Sequence, residues 1–150
     1  MNKTNRFFAK VSSYQNQLIN LPQRQTKFSA GYDFEAAESM EIPPQTVILV
    51  PTGIKASFPS NEVLLIYLRS SLPLKKQLIL ANGVGVVDSD YYNNLQNEGH
   101  IFIALYNFSK NPVQVCKGER IAQGIFQPLF QIHQEKENNF ARKGGFGSTK

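Results

Sequence analysis

The chain has 150 residues, enough for one domain with a real core. Its formal charge of +5 suits an anionic partner such as a nucleotide, a phosphate or a nucleic acid. A single cysteine, Cys116, excludes an intrachain disulfide. It points to a reducing cytoplasm and is expected to serve as a small buried apolar residue. The first eight residues lack the apolar stretch of a secretory signal, and no run approaches the about eighteen apolar residues of a membrane span.

Residues 7–11 read as an opening strand, and the polar stretch 20–29 as a loop or irregular edge. Residues 30–36 alternate with the period of a strand. Ile42-Pro43-Pro44 bars a helix. Two strand-like pieces flank Pro51, at 47–50 and 53–56, and Pro59-Ser60-Asn61 signals a turn. Residues 62–68 form an apolar run of strand length. Ser70 or Ser71 can cap a short helix through Lys76, with Pro73 in its first turn. From Leu78 an apolar run leads into Gly83 and Gly85 and out again towards Asp88, Asp90 and Tyr91. This predicts a tight β-hairpin whose main-chain groups face outward. Strands follow at 99–107, 113–116 and 120–129, and the last sixteen residues, polar and then Gly-rich, form an arm. Many short strands with almost no helix predict an all-β sandwich or barrel. The division is a β domain over 1–134 and a flexible arm over 135–150.

Five segments can carry chemistry. Ala30-Gly31-Tyr32-Asp33 sets a carboxylate after a glycine on a strand. Arg69-Ser70-Ser71 joins a guanidinium and two hydroxyls at a helix start, a combination suited to phosphate oxygens. The hairpin from Asn82 to Tyr91 offers backbone groups, a ring and carboxylates, fit to grip a flat polar ring and hold a water. Gly118 to Gln123 places Arg120 and Gln123 on a turn and the strand after it. Arg142 to Lys150 is basic and Gly-rich. Its backbone can wrap a phosphate, and Phe146 can stack on a base when the arm closes. Taken singly, each segment also reads as an ordinary strand, cap, turn or tail.

Taken together and in this order, the five segments resemble the motifs of the trimeric dUTP pyrophosphatase (dUTPase) family, spread from Ala30 to Thr149. The resemblance implies a distorted jelly-roll β barrel with one short helix and a mobile C-terminal arm. It implies a homotrimer whose three sites each draw on more than one subunit. The implied activity is hydrolysis of dUTP to dUMP and pyrophosphate, which keeps uracil out of DNA and supplies dUMP for thymidylate synthesis. In that scheme Asn82 and the main chain at Val86 and Val87 read uracil. Tyr91 lies under the deoxyribose, and Asp88 holds and deprotonates the attacking water. Arg69, Ser70 and Ser71 bind phosphates, and Gln123 helps place phosphate and water. Asp33 acts through water on Mg²⁺. Phe146 covers the uracil, Gly147 belongs to the closing arm, and Arg142, Ser148 and Thr149 meet the γ-phosphate. Nucleic acid and membrane are not expected as partners.

The chain departs from the family pattern at three places. Arg69-Ser70-Ser71 stands where the family has Arg-Ser-Gly. About six residues, 92–97, interrupt the pattern between Tyr91 and Glu98-Gly99. The arm is one residue short between Arg142 and Gly144-Gly145, and it ends in Lys150. Two alternatives are a dCTP deaminase-like enzyme and a non-enzymatic nucleotide- or partner-binding module, with residues 92–97 as a surface for a protein partner. The first commonly carries Arg-Ser-Ser but needs a glutamate on the strand after the hairpin, and Ala104 stands there. The second wants clustered basic residues or a repeating aromatic stripe, and the basic residues here are scattered.

Overall fold

The structure is a computed structural model and describes residues 5–147. The strands are β1 (Phe7–Lys10), β2 (Tyr32–Glu35), β3 (Met40–Ile42), β4 (Val47–Pro51), β5 (Ile54–Ser57), β6 (Glu62–Leu68), β7 (Leu78–Leu80), β8 (Gly85–Val87), β9 (Phe102–Asn107), β10 (Val113–Val115) and β11 (Arg120–Pro128). Among the described residues one α-helix, α1 (Ser71–Lys76), lies between β6 and β7. The strands form antiparallel sheets with the orders β2-β11-β6-β8, β4-β9-β7, β1-β5 and β3-β10. This is the mostly-β jelly roll with one short helix that the sequence predicts.

Alternation builds the core. On β6, Leu64 and Ile66 point inward; on β9, Ile103, Leu105 and Asn107 do. They meet Phe34, Ile42, Val50, Leu78, Val115 and Ile121 from the other strands in one apolar cluster. Each large side chain buried there contributes about 2 kcal/mol. Asn107 is a fully buried polar group with its partners supplied. Its amide donates to the carbonyls of Ile42 and Asn111, and its oxygen accepts from the Ser109 N–H and hydroxyl.

Three local expectations need correction. The stretch around Gly83 is not a laddered hairpin. β7 pairs with β9 and β8 pairs with β6, so the two arms part into different sheets. The turn between them is closed by short-range bonds, Gly83 N–H to Leu80 C=O and Val84 N–H to Asn82 C=O. Ser70 takes the N-cap position of α1, but no serine side chain caps the helix; Ser70 is itself in helical geometry, which turns its hydroxyl from the cap. Cys116 is exposed rather than buried, because it begins the turn after β10 while Val115 takes the inward place.

His100 ties the loop before β9 to β5. It is buried, its Nε2 accepts the Gly53 N–H at 2.8 Å, and its ring stacks on Phe102 with centroids 4.1 Å apart. Burial depresses its pKa from 6.5 to about 4, against the opposing charges of Glu38 and Glu98. Between those values the unfolded chain binds a proton that the folded chain refuses. The stability supplied by the neutral ring is complete above about pH 6.5 and is lost as pH falls through 4, about 3 kcal/mol in all. Urea unfolding at pH 7, 5.5 and 4.5 should show this decline, and His100→Gln should flatten it. Equal slopes for both proteins would remove His100 as its cause.

Candidate active site

A cavity of about 200 Å³ opens where β7 and β8 part. Each is the edge strand of its sheet, so each turns one unladdered side away from its partner. Leu80 and Asn82 line the cavity from the first arm, and Gly85, Val86 and Val87 from the second. Ile66, Phe102 and Ile103 supply apolar floor and wall. The volume is below the about 300–1,000 Å³ typical of a drug-sized ligand, so it suits a base and part of a sugar better than a whole nucleotide. Asp88, immediately after β8, is the one carboxylate among its described lining residues, and half of its side chain, 52%, is exposed. Ala104 also lines the cavity and brings no acid to that wall.

Tyr91 closes one side. It ends a single 3₁₀ turn, Ser89–Tyr91, that follows Asp88. Its hydroxyl donates to the His100 carbonyl at 2.6 Å and accepts from the Asn97 amide at 2.8 Å. Burial raises its pKa. The inserted residues therefore fix this ring instead of displacing it. The loop returns through Gly99, at φ +84°, where a Cβ would lie 2.7 Å from the Tyr91 carbonyl oxygen. No other residue type fits there.

The arm reaches this cavity in the same chain. Arg142, Gly145 and Phe146 complete its lining. The Arg142 guanidinium pairs with Asp88 at 2.5 Å and with Asp90 at 2.6 Å. Phe146 sets its ring edge-on to Phe102, centroids 6.3 Å apart. Gly147 follows, exposed. Ser148 and Thr149 lie outside the described residues.

The remaining predicted residues gather elsewhere. β11 lies between β2 and β6, and its register sets Gln123 opposite both Asp33 and Tyr67. Just past β6, the Arg69 N–H bonds the Ile121 carbonyl. Asp33, Arg69, Ser70 and Gln123 line a second, open cavity of about 260 Å³, together with Gln25, Ser29, Ala30 and Gly31. Ser71, in α1, is not among its lining residues. Gly31 has no room for a side chain, since a Cβ would stand 2.6 Å from Gln123 Oε1 and 2.9 Å from Gln123 Cβ. Arg120 lies 3.7 Å from the Asp33 carboxylate. Gln25 and Ser29 were not predicted; they belong to the polar loop 20–29, where nothing but polarity distinguishes them.

The register separates the two clusters. Val87 pairs with Leu64, so Asp88 stands level with Val63, six residues from Arg69 along β6. At about 3.3 Å per residue that is roughly 20 Å.

An all-β domain with an apolar, ring-sized cavity beside a carboxylate, and a separate basic, hydroxyl-bearing cleft, has the parts of a nucleotide-hydrolysing enzyme. A family model described as dUTPase matches residues 17–150. A deoxyuridine 5'-triphosphate nucleotidohydrolase of Lactococcus lactis is 51% identical over 148 residues, covering 96% of this chain and 97% of that protein. One of Desulfitobacterium hafniense is 38% identical over 136 residues, 86% of each. The crystal structure of the dUTPase from Streptococcus mutans superposes with a TM-score of 0.81 at 46% identity, over 84% of this chain and 98% of that one. The chain belongs to the dUTPase family.

The bonds to Tyr91 are testable without any ligand. Tyr91→Phe leaves a buried carbonyl without its donor, so urea unfolding should show a loss of about 1–3 kcal/mol. Unchanged stability would mean that the two hydrogen bonds of its hydroxyl do not hold the ring.

Proposed function

We propose that the two clusters are halves of one catalytic site, completed between subunits. The chain hydrolyses dUTP to dUMP and pyrophosphate, the reaction of its family. The observation that carries the assignment of halves is the separation along β6. The phosphates of one triphosphate lie a few bonds apart, and an extended arginine cannot recover roughly 20 Å. A symmetric homotrimer resolves this by setting the Arg69 cleft of one subunit against the Asp88 cavity of the next.

In this reading uracil enters the cavity, where Asn82 and the free main-chain edge at Val86 and Val87 supply its hydrogen-bond partners. Cytosine would leave buried polar groups mismatched, a strong ground for rejection. Tyr91 packs beneath the deoxyribose. Its ring is held by two hydrogen bonds and cannot retreat from a 2′-hydroxyl. Asp88 stands at the rim, exposed enough to hold a water, and takes that water's proton as it attacks the α-phosphate in line. Arg69, Ser70, Ser71 and Gln123 hold phosphate oxygens. Arg142 moves from Asp88 to the γ-phosphate with Ser148 and Thr149, and Phe146 and Gly147 cover the base.

Mg²⁺ fits this donor set through water. Among the described residues no three His, Cys, Asp or Glu side chains gather as a ligand cage. Mg²⁺ characteristically keeps several waters and is held by few carboxylates plus substrate phosphates. Asp33, beside Arg69 and Gln123, is the carboxylate that would hold those waters. The ion supplies charge neutralisation on the triphosphate.

Asp88→Asn should lower dUTP turnover by about 10²–10⁴ while leaving dUTP binding intact. Near-full turnover would remove Asp88 as the base. Mixing inactive Asp88→Asn with inactive Arg69→Ala under subunit exchange should restore about a quarter of the sites, as a random shared-site trimer requires. No restoration, with exchange demonstrated, would place both halves of each site in one subunit.

A further inference from the structure

The inserted residues 92–97 interrupt the family's pattern between Tyr91 and Glu98-Gly99, yet they do not hang from the domain as a free loop. The Asn93 N–H donates to the Glu98 carbonyl and the Glu98 N–H to the Asn94 carbonyl, both at 3.0 Å, so the insertion closes on itself. The Glu98 carboxylate binds Lys55 on β5 at 2.8 Å and the Ser12 N–H at 3.1 Å, and Lys55 also donates to the Asn93 side chain at 2.7 Å. Lys55 and then Ser12 hold the Glu98 carboxyl down at a pKa of about 2, so this anchor stays charged across the working pH range.

Two asparagines connect the anchored loop to Tyr91. Asn94 is buried. Its amide donates to the Tyr91 carbonyl and to Asn97 Oδ1, each at 2.8 Å, and its oxygen accepts the N–H groups of Gln96 and Asn97. Asn97 Oδ1 also accepts the Gly99 N–H at 3.1 Å, and the Asn97 backbone carbonyl accepts the His100 N–H at 3.0 Å. With its oxygen holding two donors, the Asn97 side chain has one orientation, and its Nδ2 meets the Tyr91 hydroxyl at 2.8 Å. That hydroxyl donates in turn to the His100 carbonyl at 2.6 Å. Asn94 thus grips Tyr91 at its backbone, and Asn97 and His100 grip it at the far end of its ring. The ring swings about its Cα–Cβ bond, and the hydroxyl is the end of that lever, where a bond resists the swing best. A polar network in which each member is satisfied holds as a unit.

We propose that the insertion sets selectivity between deoxyribose and ribose, with Asn97 the positioning residue that acts through Tyr91. This rests on the placement of Tyr91 beneath the deoxyribose given above. A ribose 2′-hydroxyl on that face either displaces the ring or is refused. Displacing the ring breaks the bond from Asn97 and leaves an amide without its partner inside the loop, a cost that deoxyribose does not meet. The discrimination is carried by what stands behind the ring as well as by the ring itself. The donor behind it comes from residues that the family pattern lacks.

Binding of dUDP and of UDP, each measured by calorimetry, reads this selectivity without turnover. The unaltered chain should bind dUDP more tightly than UDP. Asn97→Ala should narrow the ratio of the two constants about tenfold, the worth of one hydrogen bond, chiefly by strengthening UDP. A merely structural role would weaken both nucleotides alike and leave the ratio where it was. Asn97→Asp keeps the side chain's size and its acceptor for Asn94 and Gly99 but loses the donor, and it should narrow the ratio as well. Leu95→Ser, at the exposed tip of the same loop, should leave the ratio unchanged; a narrowing equal to that of Asn97→Ala would trace the effect to the loop at large and overturn the role of Asn97. Tyr91→Ala separates the two remaining ways to fail. If it narrows the ratio while both Asn97 variants keep the original one, the proposal is overturned and the placement of Tyr91 stands. If Tyr91→Ala also keeps the original ratio, the placement of Tyr91 is at fault and the proposal falls with it.

Discussion

The fold depends on one divergence. After Leu80 the chain turns through a few residues and joins a different sheet, so β7 and β8 each present a free strand edge. An unpaired edge is ordinarily a hazard, because its N–H and C=O groups seek another strand. Here the edges are short and come together around a cavity, where a ligand with its own donors and acceptors can satisfy them. In the proposed reading, the cost of leaving backbone groups without a ladder partner becomes selectivity, since only a ring with the matching pattern repays it. A regular hairpin at this place would pair those groups with each other and leave none facing the cavity.

β6 organises the rest. It lies between β11 and β8, joining the phosphate-type cluster at one end to the carboxylate at the other. Antiparallel register fixes their separation along the strand as firmly as bond lengths do. Side-chain flexibility cannot repair a gap of that size, and this is the constraint from which the proposed division of labour between subunits follows.

Much of this was legible in the sequence. Strands with clear alternation, such as β6 and β9, and the short helix between Ser71 and Lys76 were readable because periodicity and proline placement report local geometry directly. The ordered motifs singled out Asp88, Asn82, Tyr91 and Arg69, and the structure sets the first three at one cavity and Arg69 at the other. What stayed hidden was non-local. Nothing in the run 78–88 says that its two halves join different sheets, since the partners, residues of β9 and β6, are supplied by distant chain. Cys116 looked like core because cysteine usually is, but the alternation of β10 puts Val115 inward and therefore turns Cys116 out. Gln25 and Ser29 carry no pattern at all, and only the return of the loop beside Asp33 gives them a place in the cleft. The insertion 92–97 was visible as a departure, but its hydrogen bonds to Tyr91 and the arm follow from folding alone.

The electrostatics explain why an arm is needed beside Asp88. In the proposed reaction a triphosphate must approach Asp88 with Asp90 close by, and both carboxylates repel it. At a few ångströms each such repulsion is worth about 4 kcal/mol for an effective dielectric near 20. Fixed cations in the cavity would offset this, but they would also pair permanently with Asp88 and suppress its basicity. The arm avoids both outcomes. The Arg142 guanidinium pairs with both carboxylates, and in the proposed reaction it passes to the phosphates, carried on a stretch exposed from Gln127 to Ala141.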